Sequence, residues 1–152
     1  MAPAGGSHST AIYFFNKRRA GQTKRVDEIT FNKRTPLVTD RSKVSALIGH
    51  DAKLCVDKAN WRAFSDLGTE HCYEAEEAIE RAKVVIDCTP AGNENKEKYY
   101  NRYATNGCGF IAQGSEFGFG KMYAHGINDE ILDRETDRFV QVVSCNTHNW
   151  QR

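Results

Sequence analysis

The stretch Lys83-Val-Val-Ile-Asp-Cys-Thr-Pro-Ala-Gly-Asn93 decides the fold. Val84, Val85 and Ile86 make the clearest strand in the chain, and Pro90 and Gly92 break it. A polar helical stretch from Asn93 to Tyr103 follows, until Gly107-Cys-Gly109 interrupts it. A strand that runs through a small-residue loop into a helix is the repeating unit of an α/β protein. In such open sheets the loop at the strand's carboxyl end borders the ligand crevice.

The same alternation extends outward in both directions. Upstream, Val26–Phe31 and Lys53–Val56 read as strands. Pro36–His50 has helical spacing (Leu37, Val44, Leu47, Ile48) and stops at Gly49. Lys58–Leu67 carries Trp61, Phe64 and Leu67 on one stripe, with Gly68 just past its end, and Tyr73–Arg81 reads as a Glu-rich helix. Downstream, Phe110–Gln113 is a short strand followed by a loop with three glycines, Gly114 to Gly120. Met122–Asp137 is irregular, and Phe139–Val143 has the apolar run of a strand covered on both faces. These elements predict a Rossmann-like, mostly parallel sheet flanked by helices over residues 26–152.

Residues 1–25 read differently. Met1–Thr10 is a small, polar tail, Ala11–Phe15 has the character of a short strand, and Asn16–Arg25 has five basic residues and no acid. This makes 1–25 an atypical or poorly ordered N-terminal segment. Its Arg and Ser content and lack of acid give a faint likeness to an organellar transit peptide, without the amphipathic pattern one needs.

Size and charge narrow the classes. One hundred and fifty-two residues suffice for one core, and 21 Lys+Arg against 20 Asp+Glu exclude whole-chain electrostatic binding of nucleic acid. No apolar run nears the roughly 20 residues of a membrane span, so a soluble, cytoplasmic protein is expected. Five dispersed cysteines (55, 72, 88, 108 and 145) with no CxxC pair suit reduced thiols, with neither a zinc site nor a disulfide framework.

Two sites stand out. After the second strand of a dinucleotide-binding fold an acidic residue takes the ribose hydroxyls, whereas basic residues accommodate the extra phosphate of NADP. Lys33 and Arg34 occupy that place. The second site is Val142-Val-Ser-Cys-Asn-Thr147, which delivers Cys145 to a turn of small polar residues. Free backbone N–H groups and a positive helix end there would lower the thiol's pKa and make it a nucleophile. A cysteine met without that context is more often a small buried hydrophobe.

Four segments in register carry a resemblance: Ile86-Asp-Cys-Thr-Pro-Ala-Gly92, Asn93–Tyr100, Phe110-Ile-Ala-Gln-Gly114 and Val142-Val-Ser-Cys-Asn-Thr147. Together, over residues 26–148, they resemble the N-terminal half of type II, archaeal-style glyceraldehyde-3-phosphate dehydrogenases. The resemblance implies that Cys145 is the nucleophile and that Ser144, Asn146 and Thr147 hold the aldehyde. It also implies that Thr89, Pro90, Gln113 and Gly114 line a cleft for NADP or NAD. The implied substrates are glyceraldehyde 3-phosphate and inorganic phosphate, with no metal, and the implied assembly is a homo-oligomer or a larger complex. The chemistry is thiolate addition to the aldehyde, loss of hydride to the nicotinamide, and attack of phosphate on the thioester.

Two departures accompany the likeness. Residues 1–25 contain no GxGxxG with which to seat a pyrophosphate, and the family's catalytic histidine and most of its substrate-phosphate site come from a C-terminal domain, whereas the sequence ends at Arg152. The expectation is therefore a catalytically incomplete N-terminal part of such an enzyme. The competing reading is a non-catalytic Rossmann-like subunit or interaction module of the same descent. His148, close after Cys145, is read as structural or solvent-exposed.

Overall fold

The computed structural model describes residues 10–16, 26–89, 92–113 and 117–143, with side chains described from residue 28 onward. Among the described residues eight strands form one sheet: β1 (Thr10–Asn16), β2 (Val26–Lys33), β3 (Lys53–Val56), β4 (Tyr73–Glu74), β5 (Val84–Asp87), β6 (Gly109–Gln113), β7 (Lys121–Tyr123) and β8 (Phe139–Val142). Their order is β4-β3-β2-β1-β5-β6-β8-β7. Every pairing is parallel except the two made by β1, which runs antiparallel to both β2 and β5.

The reversal of β1 follows from chain length. Only residues 17–25 join β1 to β2, whereas a parallel crossover consumes a dozen or more residues with its helix. The two strands therefore pair as a hairpin, Thr10 opposite Lys33 and Phe15 opposite Glu28. In doubly wound sheets the central strand carries the phosphate-binding loop at its carboxyl end. Here the carboxyl end of β1 lies at the opposite edge of the sheet from those of the other seven strands. An antiparallel strand thus stands between β2 and β5.

Helices cover both faces. α1 (Arg41–Gly49) and α2 (Trp61–Asp66) pack on β2 and β3, where Phe31, Val44, Ala52, Leu54, Val56 and Phe64 make one core. α3 (Ala75–Arg81) lies on the other face, as does the run of α4 (Gly92–Asn95), a π-helical segment (Lys96–Tyr100) and α5 (Asn101–Ala104). These bury Val85, Tyr100, Tyr103, Phe110, Ala112 and Phe119. Strand alternation separates the two cores: Leu54 and Val56 face the first, and Cys55 between them faces the second. No helix among the described residues is long and apolar enough to cross a membrane.

Several local expectations shift. The helix expected from Pro36 begins at Arg41 after a 3₁₀ turn, Val38–Asp40, and of its apolar positions only Val44 is buried, Leu37 and Ile48 being exposed. Tyr73 and Glu74 are a two-residue strand, so that helix starts at Ala75. The region expected to be irregular contains β7, a three-residue strand with no alternation of its own that exists through its parallel ladder with β8. Of the expected strand Phe139–Val143, Phe139–Val142 forms β8, but it is not covered on both faces. Phe139 packs on the Tyr100 side with Gln141 buried, while Val142, on the alternate face, is exposed. The positive φ of Gly68, +68°, marks the expected stop after α2.

Candidate functional site

A cleft of about 500 Å³ opens at the carboxyl edge of the parallel strands. Asn32 and Arg34 come from the end of β2, Asp57 follows β3, Glu74 ends β4 and Thr89 follows β5. Ala75, Glu76 and Ile79 of α3 form one wall, and Asn95, Tyr99 and Tyr100 form another. The strand order runs outward in both directions from the gap between β2 and β5, so the cleft lies at the switch point where open α/β sheets take ligands.

A buried carboxylate organises its floor. Asp87, the last residue of β5, is 1% exposed. It accepts hydrogen bonds from the Thr89 backbone N–H (2.7 Å), Asn95 Nδ2 (3.0 Å) and Tyr100 Oη (2.8 Å). Asn95 Nδ2 also reaches Thr89 Oγ1 at 3.0 Å, and its Oδ1 accepts from Arg34 at 3.4 Å. A charge buried at a strand end persists only when donors converge on it. Here they fix the loop after β5 against the helical run, leaving the Arg34 guanidinium at the cleft. The π-helical segment widens the turn where Tyr99 meets the cleft.

The two basic residues expected to act together point apart. Arg34 is exposed and lines the cleft, its backbone carbonyl held by Asn60 Nδ2 at 2.8 Å. Lys33, alternate on the strand, turns inward: its Nζ lies 2.6 Å from Asp40 Oδ2, and the two side chains are only 7% and 3% exposed. Thr89 is in the cleft. Gln113 ends β6 at the same sheet edge, where its Oε1 accepts from the Cys88 thiol at 3.5 Å. Pro90, Gly114, Ser144, Cys145, Asn146 and Thr147 lie outside the described residues.

The described cysteines, 55, 72, 88 and 108, are free thiols. Burial pushes Cys55 up to about 12 and Cys108 up to about 11. Partial burial, and then the Asp87 charge, raise Cys88 above the ordinary thiol value. None of these three has the depressed pKa of an activated thiol.

Sequence reasoning missed Asp87, Asn95 and Tyr99. The readable signal was an acid closing an apolar strand, Val84-Val-Ile-Asp87, since such a carboxylate needs partners nearby. The partners lie 8 and 13 residues downstream of Asp87 and meet it only through the helix that returns over the sheet.

Fold and cleft define a Rossmann-like α/β protein with a cleft at its switch point. No family model matches the chain. It is similar to glyceraldehyde-3-phosphate dehydrogenase 1 of Methanosarcina acetivorans, 33% identical over 140 residues that make up 86% of this chain and 38% of the relative. The glyceraldehyde-3-phosphate dehydrogenase of Pyrobaculum calidifontis is 32% identical over 112 residues, 70% of this chain and 30% of the relative. That of Pyrobaculum neutrophilum is 36% identical over 86 residues, 55% and 24%. The chain thus spans between 24% and 38% of the length of these curated relatives. It is related to the glyceraldehyde-3-phosphate dehydrogenase family by distant, partial homology to the N-terminal region of the archaeal enzymes.

Proposed function

We propose that the chain is the cofactor-binding, thiol-bearing part of a phosphorylating glyceraldehyde-3-phosphate dehydrogenase, using NADP or NAD. The observation that carries this reading is the cleft at the switch point, with Arg34, Thr89, Asn95 and Tyr99 around it, in a chain homologous to that family. The residues present suit the adenosine end of such a cofactor. An aromatic ring and amide and hydroxyl groups surround a guanidinium, which binds a 2′-phosphate by charge-assisted hydrogen bonds. Arg34 would carry that preference, Lys33 being engaged with Asp40. Pro90, Gln113 and Gly114 complete the proposed cofactor set, and residues 26–152 the proposed domain, with β1 as an added strand.

Cys145 is the proposed nucleophile, with Ser144, Asn146 and Thr147 holding the aldehyde. The thiolate adds to the aldehyde carbonyl, Ser144 and nearby N–H groups stabilise the oxyanion, and inorganic phosphate releases the acyl group from sulfur. A bound nicotinamide dinucleotide supplies the hydride acceptor. A homo-oligomer or larger assembly belongs to the same reading.

Calorimetric titration with NADP and NAD tests the cofactor half. NADP should bind more tightly, and Arg34→Ala should weaken NADP about tenfold while leaving NAD nearly unchanged, as expected for loss of a hydrogen bond to a charged group. Intact-mass detection of an acyl adduct on Cys145 after a single turnover with glyceraldehyde 3-phosphate tests the thiol half. The second reading, a non-catalytic Rossmann-like subunit, has the reversed β1 in its favour, since that strand brings no phosphate loop to the cleft. Absence of binding by both dinucleotides together with absence of the adduct would establish it over the first.

A further inference from the structure

We propose that Asp57, at the end of β3, reads the base of the dinucleotide by accepting a hydrogen bond from the exocyclic amine of adenine. This role rests on the reading of the cleft as the cofactor site. Asp57 lines the cleft and stands at the N-cap of the helical run that begins at Lys58, its backbone extended (φ −66°, ψ 140°). An aspartate in that place ordinarily accepts from the first N–H groups of the helix. Here the side chain makes no capping bond, and among the described residues its carboxylate takes no hydrogen bond and no ion pair.

The other two acids of the cleft have partners. Glu74 Oε1 lies 3.7 Å from Lys58 Nζ, and Glu76 Oε1 accepts from Arg102 at 2.9 Å. Arg34 is the counterpart of Asp57: its guanidinium donates to the neutral Asn95 amide at 3.4 Å and reaches no carboxylate among the described residues. β2 and β3 are parallel with Asn32 opposite Cys55. Two residues further on, Arg34 and Asp57 therefore leave neighbouring strand ends on the same side of the sheet, one strand spacing of about 4.8 Å apart. Asn60 Nδ2, three residues after Asp57, donates to the Arg34 carbonyl at 2.8 Å and ties the two loops together. The opposite charges still do not pair with each other. A cation and an acceptor-only group held side by side, neither neutralised by the protein, suit a ligand that carries an anion and, a short way along, an N–H donor.

Strand order sets which donor that is. The sheet runs β5-β1-β2-β3-β4, with Thr89 after β5, Arg34 after β2 and Asp57 after β3. A dinucleotide seated at the switch point extends outward from pyrophosphate to ribose to base. With the ribose and its 2′ substituent at Arg34, the base lies one strand further out, over the end of β3. Adenine offers the two hydrogens of its exocyclic amine there, and a carboxylate can only accept. Arg34 thus answers to the 2′-phosphate and Asp57 to the base, so Asp57 serves NAD and NADP alike.

The test is calorimetric titration of the wild-type chain, Asp57→Ala and Asp57→Asn with NADP and with its 1,N6-etheno derivative, in which an added ring takes the place of both amine hydrogens. Wild type should bind NADP about tenfold more tightly than the etheno derivative, as for one hydrogen bond to a charged group. Asp57→Ala should weaken NADP by about the same factor, bring the two probes within about twofold, and weaken NAD equally, leaving the preference between NADP and NAD as in wild type. Asp57→Asn keeps an acceptor oxygen in the same volume and should fall between; it carries the comparison if Asp57→Ala does not fold. The melting temperature should not move in either variant, because no capping bond is lost. The same preference between the two probes in wild type and both variants, or equal weakening of both probes in Asp57→Ala, overturns this proposal alone. Failure of the wild-type chain to bind NADP or NAD overturns the cofactor reading and this proposal with it.

Discussion

Replacing Lys33 by Met separates a structural lysine from a cofactor-reading one. Lys33 Nζ and Asp40 Oδ2 are 2.6 Å apart with side chains 7% and 3% exposed, tying the end of β2 to the 3₁₀ turn that starts α1. At an effective dielectric near 20, two unit charges this close attract by about 6 kcal/mol, a gain offset by several kcal/mol of desolvation per ion. The intact pair is therefore nearly neutral for stability. Removing one member is costly because the other stays buried, typically about 3–5 kcal/mol. Lys33→Met should fall at the lower end, since Lys43 Nζ lies 3.8 Å from Asp40 Oδ1 at the surface. Against a total stability on the order of 5–15 kcal/mol, that lowers the melting temperature by roughly 10 °C in a chain of this size. Urea unfolding should show a lower midpoint at constant m, and Lys33→Met/Asp40→Leu should recover most of the loss. Arg34→Ala, at an exposed position, should stay within about 0.5 kcal/mol of wild type. Lys33→Met with wild-type stability but altered selectivity between NADP and NAD would refute the reasoning.

Three further outcomes are expected. A Cβ on Gly120 would lie 2.2 Å from the Phe139 carbonyl oxygen, so Gly120→Ala should cost about 1–3 kcal/mol by forcing β7 away from β8, measurable by denaturant midpoint; an unchanged midpoint would contradict that packing. Burial raises the Glu28 carboxyl, but hydrogen bonds from Lys53 (2.5 Å) and Tyr73 (3.2 Å) and the Arg81 charge outweigh it and leave it lowered from 4.5. The contribution to stability is therefore fully present above pH 4.5 and is lost as pH falls from there through the lowered folded-state value, so Glu28→Gln should flatten the acid limb of the stability profile and leave its shape at alkaline pH unchanged. Cys55 and Cys108, pushed up to about 12 and about 11, should resist alkylation in the folded chain at pH 8 and react at once in urea; native labelling at the rate of a free thiol would contradict their burial.

What residue order alone determined is the part of the molecule governed by short-range rules. Val84–Ile86, Lys53–Val56 and Phe110–Gln113 were legible as strands because they are short apolar runs that stop at polar or turn residues, Asp57, Pro90 and Gly114 among them. The stop at Gly68 was legible because a left-handed residue after a helix is most often glycine. The absent glycine loop was legible too, since a motif is a local pattern. The tertiary structure decided the rest. β7 takes its identity from a ladder with a strand that follows it by some fifteen residues. β1 runs backward because its connection is too short for a crossover, a constraint that acts only once both strands must share a sheet. Lys33 and Arg34 look alike in sequence, yet strand alternation sends adjacent side chains to opposite sides, putting one amine on Asp40 and one guanidinium in the cleft. Asp87, Asn95 and Tyr100 became one network for the same reason: a helix folding back across a sheet brings distant residues together, and a buried charge holds its place only where it does.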